Sequence, residues 1–347
     1  MWTLSRFPSA FSMDAGSLAG LDLAVVIVSF NVRELLRECL RSVRDELGRQ
    51  KGLRAAVWVV DNASHDGSAN MVRTEFPDVH LIANDANRGF AAANNQALRA
   101  LGLGGEGASF AGMPRFVLLL NPDTTLEAGA LTTWLAAAEA LPRAGVLGPA
   151  LRYPDGQFQH SAFAFPTLWQ VFFDFFPLHY RLLESRLNGR YPRRWYQSGR
   201  PFPIGHPLGA AMLARGEAVQ GTGLLDEGYF IYAEEVDWCL RMRACGWERW
   251  CVPAARVIHH EAQSTRQFRD EMFVHLWRSR FRLFAKHYSP LFNAAVRPLV
   301  RLGLRRLSAE ARRARQAGQL DEAGCARRLS ALEEVRRMSY LPPERFR

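Results

Sequence analysis

Cysteine is scarce. The 347 residues hold five, Cys39, Cys239, Cys245, Cys251 and Cys325, and no two form a Cys-x-x-Cys pair. Neither a zinc site nor a disulfide framework is suggested, and a reduced, cytosolic setting fits best. No uncharged apolar run reaches the roughly 18 residues of a membrane span. The opening MWTLSRFPSAFSMDAGSLAG lacks a basic head followed by an unbroken apolar core, so it is a poor signal peptide. Residues 1–20 are expected to be mobile, with Met13 as an alternative start. No Gly-rich turn follows the first apolar run, where SFNVREL stands, which excludes a dinucleotide-binding fingerprint. Most of the chain also lacks net charge. Residues 265–347 carry 19 Lys/Arg against 8 Asp/Glu, leaving 25 against 26 elsewhere. The basic character therefore belongs to the tail, and the body has no RNA or DNA motif and no basic rim.

What is present is a globular balance, 48% apolar and 22% charged. LAVVIVSF (23–30), AVWVV (56–60), VHLI (79–82) and FVLLL (116–120) read as strands apolar on both faces. Between them lie helical patterns: Leu35, Leu36, Cys39, Leu40, Val43 and Leu47 after Asn31, a helix after DGS, and one from Phe90 to Leu101. Alternation of this kind predicts an α/β, doubly wound, mostly parallel sheet with helices on both faces. Ligands of such sheets sit at the carboxyl ends of the strands. Those ends are Ser29-Phe30-Asn31, Asp61-Asn62, Asn84 and Asn121-Pro122-Asp123, a polar rim suited to hydrogen-bonding edges and negative charge.

VVDNASHDGS (59–68) sets Asp61 at a strand end and Asp66 at a helix start. Asp66 reads equally well as an ordinary cap, because Asp-Gly-Ser is common turn chemistry. Asp61 reads as functional, since a carboxylate there can accept the imide N–H of a pyrimidine base. FVLLLNPDTT (116–125) runs five apolar residues into a single carboxylate, Asp123, for which a turn or helix cap is the competing role.

Together VIVSFN, VVDNASHDGS, NDANRGFAAANN (84–95) and LLLNPD resemble family 2 glycosyltransferases of the GT-A fold. The wording is most similar to bacterial rhamnosyltransferases that build lipopolysaccharide, O-antigen or other cell-wall glycans. The likeness continues through GPALRYPDGQFQHSAFAFPT (148–167), GAAMLARGEAVQGTGLLDEGYFIYAEEVDWCLR (209–241) and VPAARVIHH (252–260), covering about residues 23–265. It implies that the family's Asp-x-Asp element is Asn121-Pro122-Asp123 here, with Asp123 its one carboxylate. Mg²⁺ or Mn²⁺ takes few protein oxygens, donor phosphates and water completing its shell. By the same resemblance, Asp61 reads the base, Ser29, Phe30 and Asn31 line the nucleotide pocket, and Asn62 and Asn121 join the nucleotide-sugar site. Arg88 is expected to approach the phosphates and Asn94 to line the cleft, although Asn87-Arg88-Gly89 also reads as a mere turn.

YFIYAEEVDWCLR places Glu234, Glu235 and Asp237 at a predicted helix start, where any acid would complement the dipole. In the family this site reads Glu-Asp or Asp-Asp, and the second acid is the general base. That position is Glu235, a departure from the usual Asp, and Glu234 or Asp237 are the candidates to share the role. The layout implies a single inverting displacement. His259, after the strand RVI, is assigned to the metal or diphosphate site. His260 should face the other way. Asp226 either orients the acceptor loop or makes a plain turn.

Two features bear on the acceptor. FAFPTLWQVFFDFFPLHY (163–180) is dense in aromatics and reads as core, lid or membrane-facing flap. SPLFNAAVRPLVRLGLRRL (289–307) carries Arg297, Arg301 and Arg305 at four-residue spacing beside an apolar face, either an interfacial helix or a packed one with a solvated side. Residues 308–338 continue as a charged helical region, coiled or mobile. The expected organisation is a GT-A domain over 21–265, split near residue 125 into nucleotide and acceptor halves, and a basic helical extension over 266–347. The expected activity moves rhamnose from dTDP-rhamnose to a lipid-linked or lipopolysaccharide acceptor, at the inner face of the cytoplasmic membrane. Contact with anionic lipid through the C-terminal helices, and no nucleic-acid partner, complete the expectation. A UDP-sugar donor, or a catalytically silent scaffold suggested by Asn121 and Glu235, are the alternatives.

Overall fold

The computed structural model describes residues 20–105, 112–260 and 269–346. The segment expected to be mobile, 1–20, lies outside the described residues except for Gly20, as does Met13.

The first half runs β1 (Leu23–Ser29), α1 (Arg33–Gly48), β2 (Ala55–Asp61), α2 (Ser68–Glu75), β3 (His80–Ala83), α3 (Phe90–Ala100) and β4 (Phe116–Leu120). Side chains alternate along a strand, so a strand covered on both sides must be apolar throughout. In β1, Leu23, Val25 and Ile27 join a core with Leu36 and Leu40 of α1. The intervening Ala24, Val26 and Val28 join a second core with Ala97 and Leu98 of α3. β2 and β4 flank β1 in parallel, with Ser29 level with Asp61.

The second half opens with β5 (Thr124–Leu126), α4 (Ala130–Ala140), β6 (Ala144–Arg152), β7 (Phe158–Gln159) and β8 (Ala162–Phe163). Short helices α5 (Leu168–Phe175), α6 (Tyr180–Leu183) and α7 (Arg193–Gln197) precede β9 (Phe202–Pro203), β10 (His206–Pro207) and β11 (Ala211–Arg215). Then come α8 (Gly216–Thr222), α9 (Glu234–Ala244) and β12 (Glu248–His259). The main sheet has the order β3-β2-β1-β4-β11-β6-β12-β5. Its first four strands are parallel, as are β6 and β12, but β11 runs antiparallel to both β4 and β6. One rim of the sheet therefore gathers the ends of β1, β2, β4 and β12 with the starts of β5 and β11. There the Asn121 amide donates to the Ala210 carbonyl at 2.8 Å, and His259 pairs with Thr124.

The chain closes with α10 (Arg269–His287), α11 (Pro290–Gln316) and α12 (Glu322–Met338). Trp277, Phe281 and Phe284, Val296 and Val300, and Leu332 and Val335 share one buried cluster with Val171, Phe175, Val236 and Leu240 of the preceding half. The region expected to be coiled or mobile is thus a packed helix. Much of the expected arginine stripe is likewise engaged. Arg301 donates to the Ser339 carbonyl at 3.2 Å and sits 4.7 Å over Tyr340, while Arg297 donates to the Ser339 and Leu341 carbonyls. These two guanidiniums cap the end of α12, where helix carbonyls lack partners, so they do not form a free membrane-facing surface. Arg305 remains exposed.

Candidate active site

A cleft of about 410 Å³ opens at the gathered rim. Phe30, Asn62, Asn121, Asp123 and His259 line it from the sheet, and Phe230, Tyr232, Glu234, Glu235 and Met272 from the loop before α9 and from α10.

Asp123 is held by its own turn. The Thr124 hydroxyl donates to the Asn121 carbonyl at 2.6 Å, and the His260 amide donates to the Asp123 carbonyl at 2.9 Å. His259 Nδ1 lies 3.2 Å from Gln159 Oε1, and its Nε2 lies 3.5 Å from Asp123 Oδ1. An amide oxygen only accepts, so Nδ1 donates to Gln159, and the ring is turned with Nε2 towards the carboxylate. Both side chains are buried. A carboxylate and an imidazole stand together there, two side-chain types that divalent cations take as ligands. Beside them Asn121 Oδ1 is buried without a hydrogen-bond partner. No cluster of three His, Cys, Asp or Glu exists among the described residues. This set therefore fits a hard cation that draws its other ligands from phosphate and water, and not a closed structural metal.

The acids at the start of α9 divide into two kinds. Tyr232 and Ala233 both adopt left-handed backbone, with φ of 70° and 65°, at a cost of about 1–2 kcal/mol each. That turn delivers Glu234 and Glu235 into the cleft. Burial raises the Glu235 carboxyl to about 7. Burial, with the adjacent Glu235 charge second, pushes Glu234 well above its ordinary value, and its Oε2 has no partner. Acids present only to complement a helix dipole would be held charged, so burial has won here. Asp237 does not line the cleft. Burial opposes its charge, but His287 and Lys286 of α10 and Arg241 lie 2.7, 2.6 and 2.7 Å away and hold it well below the usual carboxylate range. Asp237 is thus not brought into the cleft with Glu234 and Glu235: it is buried between α9 and α10.

Asp61 and Ser29 are buried behind the cleft lining: Asp61 Oδ1 accepts from the Ser64 amide at 3.0 Å, while its Oδ2 and the neighbouring Ser29 hydroxyl are unpartnered. Asn62 is the hub of the rim. Its Nδ2 donates to Asn87 Oδ1 at 2.7 Å and to the Gly89 carbonyl at 3.3 Å, and its Oδ1 accepts from Asn84 and from the Arg88 amide. Asn31, also left-handed at φ 53°, accepts from the His65 amide through its side chain and so pins two loops without lining the cleft. Arg88 and Asn94 are not brought into the cleft either. The Arg88 side chain is exposed and pairs with Asp85 at 3.4 Å, and Asn94 Nδ2 donates to Phe90 within its own helix.

Asp66 is a cap: it accepts from the Arg33 amide at 2.7 Å and from the Ser68 amide and hydroxyl. Asp226 closes a turn onto the Gly228 amide and ties it to Arg282 and Lys286. Three site residues escaped sequence reasoning as site residues. Gln159 orients His259, and Gly89 admits the Phe230 backbone, since a Cβ at 89 would stand 2.5 Å from the Phe230 carbonyl oxygen. Phe230 is the third, a cleft-lining residue whose carbonyl accepts from the Phe90 amide at 2.6 Å. Only the positive φ of Gly89, the usual property of a turn glycine, left a signal.

Comparison with known proteins agrees with this arrangement. A sequence profile described as Glycosyl transferase family 2 matches residues 24–207. The N-acetylglucosaminyl-diphospho-decaprenol L-rhamnosyltransferase of Mycobacterium tuberculosis is 32% identical over 283 residues, covering 79% of this chain and 88% of that protein. The rhamnosyltransferase WbbL of Escherichia coli is 35% identical over 78 residues, 22% of this chain and 30% of that one. Among solved structures, the mannosyltransferase PcManGT of Pyrobaculum calidifontis, in complex with GDP-Man and Mn²⁺, superposes with a TM-score of 0.52 at 16% identity, over 95% of this chain and 88% of that one. Profile, relatives and sheet agree: this chain is a glycosyltransferase of family 2 with the GT-A fold.

Proposed function

We propose that the chain moves rhamnose from dTDP-rhamnose to a lipid-linked glycan acceptor, with inversion, at the inner face of the cytoplasmic membrane. The observation that carries the reading is Glu235, a carboxylate with a raised pKa, in the same cleft as the Asp123–His259 pair. The relative of matching length is named for L-rhamnosyl transfer to N-acetylglucosaminyl-diphospho-decaprenol, which supports the sugar and the lipid-linked acceptor.

Asp123 and His259 would hold Mg²⁺ or Mn²⁺, and Asn121 Oδ1 stands beside them for the donor or its ion. A bound cation there supplies charge neutralisation for the departing diphosphate. Asp61 Oδ2 offers an acceptor for the N3–H of thymine, with the Ser29 hydroxyl next to it; uracil carries the same N–H, so a UDP-sugar donor would meet the same contact. Glu235, ionised, takes the proton of the acceptor hydroxyl as that oxygen bonds to the anomeric carbon and the bond to the nucleoside diphosphate breaks. Glu234, kept neutral beside it, avoids a second negative charge in the cleft.

The test is Glu235→Gln, which preserves size and hydrogen bonding. Turnover should fall on the order of 10² or more, with donor affinity nearly unchanged. Glu235→Asp should retain measurable transfer. Equal, mild losses in Glu235→Gln and Glu234→Gln would defeat the assignment.

A further inference from the structure

We infer that residues 169–187 form a membrane-docking surface that seats the enzyme on anionic lipid. Ten large apolar side chains stand exposed among the described residues, and five of them, Trp169, Leu178, Tyr180, Leu182 and Leu187, fall within this short stretch. Trp169 is 57% exposed and Tyr180 63%. They are not a core left unfilled. α5 already buries Val171, Phe173 and Phe175, and a Cβ on Gly303 of α11 would lie 2.0 Å from the Phe175 ring. Arg306 donates to the Phe175 carbonyl at 2.7 Å, and a capping box of Thr167 and Gln170 fixes the start of the helix. A firmly mounted helix thus presents its second apolar side, and the chain following it, to solvent.

Charge selects the occupant. Residues 169–200 contain six arginines and two acids, Asp174 and Glu184, and Asp174 is paired with Arg280 of α10. Glu184 is already shared by His160, Arg190 and Arg193 at 2.8, 2.5 and 3.4 Å. Arg181, Arg186, Arg194 and Arg200 form no ion pair with any described acid. Aromatic and leucine side chains interleaved with unpaired arginine match the boundary between acyl chains and anionic headgroups. A second copy of the chain would bring the same positive charge against it and be repelled. This surface differs from the arginine stripe of α11, two of whose members cap α12.

The inference deepens the lipid-linked acceptor reading, yet its test needs neither donor nor acceptor, so either can fail alone. The full chain is floated with vesicles of phosphatidylcholine, with and without phosphatidylglycerol. It should float with the anionic vesicles only and be released by salt. Replacing Trp169, Leu178, Tyr180 and Leu182 by Ser should weaken binding on the order of tenfold or more, with the melting temperature unchanged. Leu178→Ser alone, 58% exposed and outside any helix, should still weaken it severalfold. Leu302→Ser with Arg305→Gln, exposed on α11, should bind as the parent does. Parental flotation of the patch variants, or an equal loss in the α11 variant, would overturn the inference. So would a dimer of the parent that the patch variant converts to monomer.

Discussion

Glu235 and Asp237 begin the same helix with the same charge and are shifted in opposite directions, because one is buried in a cleft and the other faces three cations. The sign follows for pH. The Glu235 carboxyl is raised from its ordinary 4.5 to about 7, so the base form accumulates only as pH climbs through that value. The kcat/KM profile of the free enzyme should therefore rise with an inflection near 7, and Glu235→Gln should flatten it; an inflection near 4.5 would show that burial does not govern the group. The same shift makes folding favour the protonated form, so this group's contribution to stability is present below pH 4.5 and lost as pH rises through about 7. Asp123 and Glu235 stood out locally, as a carboxylate closing an apolar strand and one in a run of acids at a helix start, but only the family resemblance gave them roles. Gln159 did not, because its role comes from a histidine 100 positions away.

At the scale of elements, the α5–α11 contact depends on one missing side chain. Gly303→Val would drive a branched side chain into Phe175. It should cost about 1–3 kcal/mol of stability in urea unfolding, with transfer retained by the folded fraction. A variant as stable as the parent would mean that the two helices separate without penalty. The sequence made β1 and β4 legible because strands buried on both faces read as unbroken apolar runs, and the part-buried β2 and β3 still carried short apolar runs. The direction of β11 was not legible, since AMLAR is equally apolar whichever way it runs. The stripe on α11 was visible as spacing, but its partners on α12 lie some forty positions away and no periodicity points to them.

For the whole molecule, the C-terminal helices and the catalytic loop share one interior. Ending the chain at residue 268 would uncover Tyr229, Val236 and Leu240 and strip Lys286 and His287 from Asp237. Arg241 alone would then face that buried carboxylate, and removing partners from a buried ion pair destabilises by about 3–5 kcal/mol. The shortened chain should therefore aggregate or elute as an expanded species in gel filtration, with no transfer activity. A soluble, active truncation would show that the helices are dispensable. The antiparallel strand in mid-sheet has a temporal consequence. β11 is bonded on one side to β4 and on the other to β6, strands that precede it in the chain. A nascent polypeptide therefore carries two unmatched strand edges until Arg215 clears the ribosome, and it is over that interval that the growing chain is most exposed to pairing with a stranger.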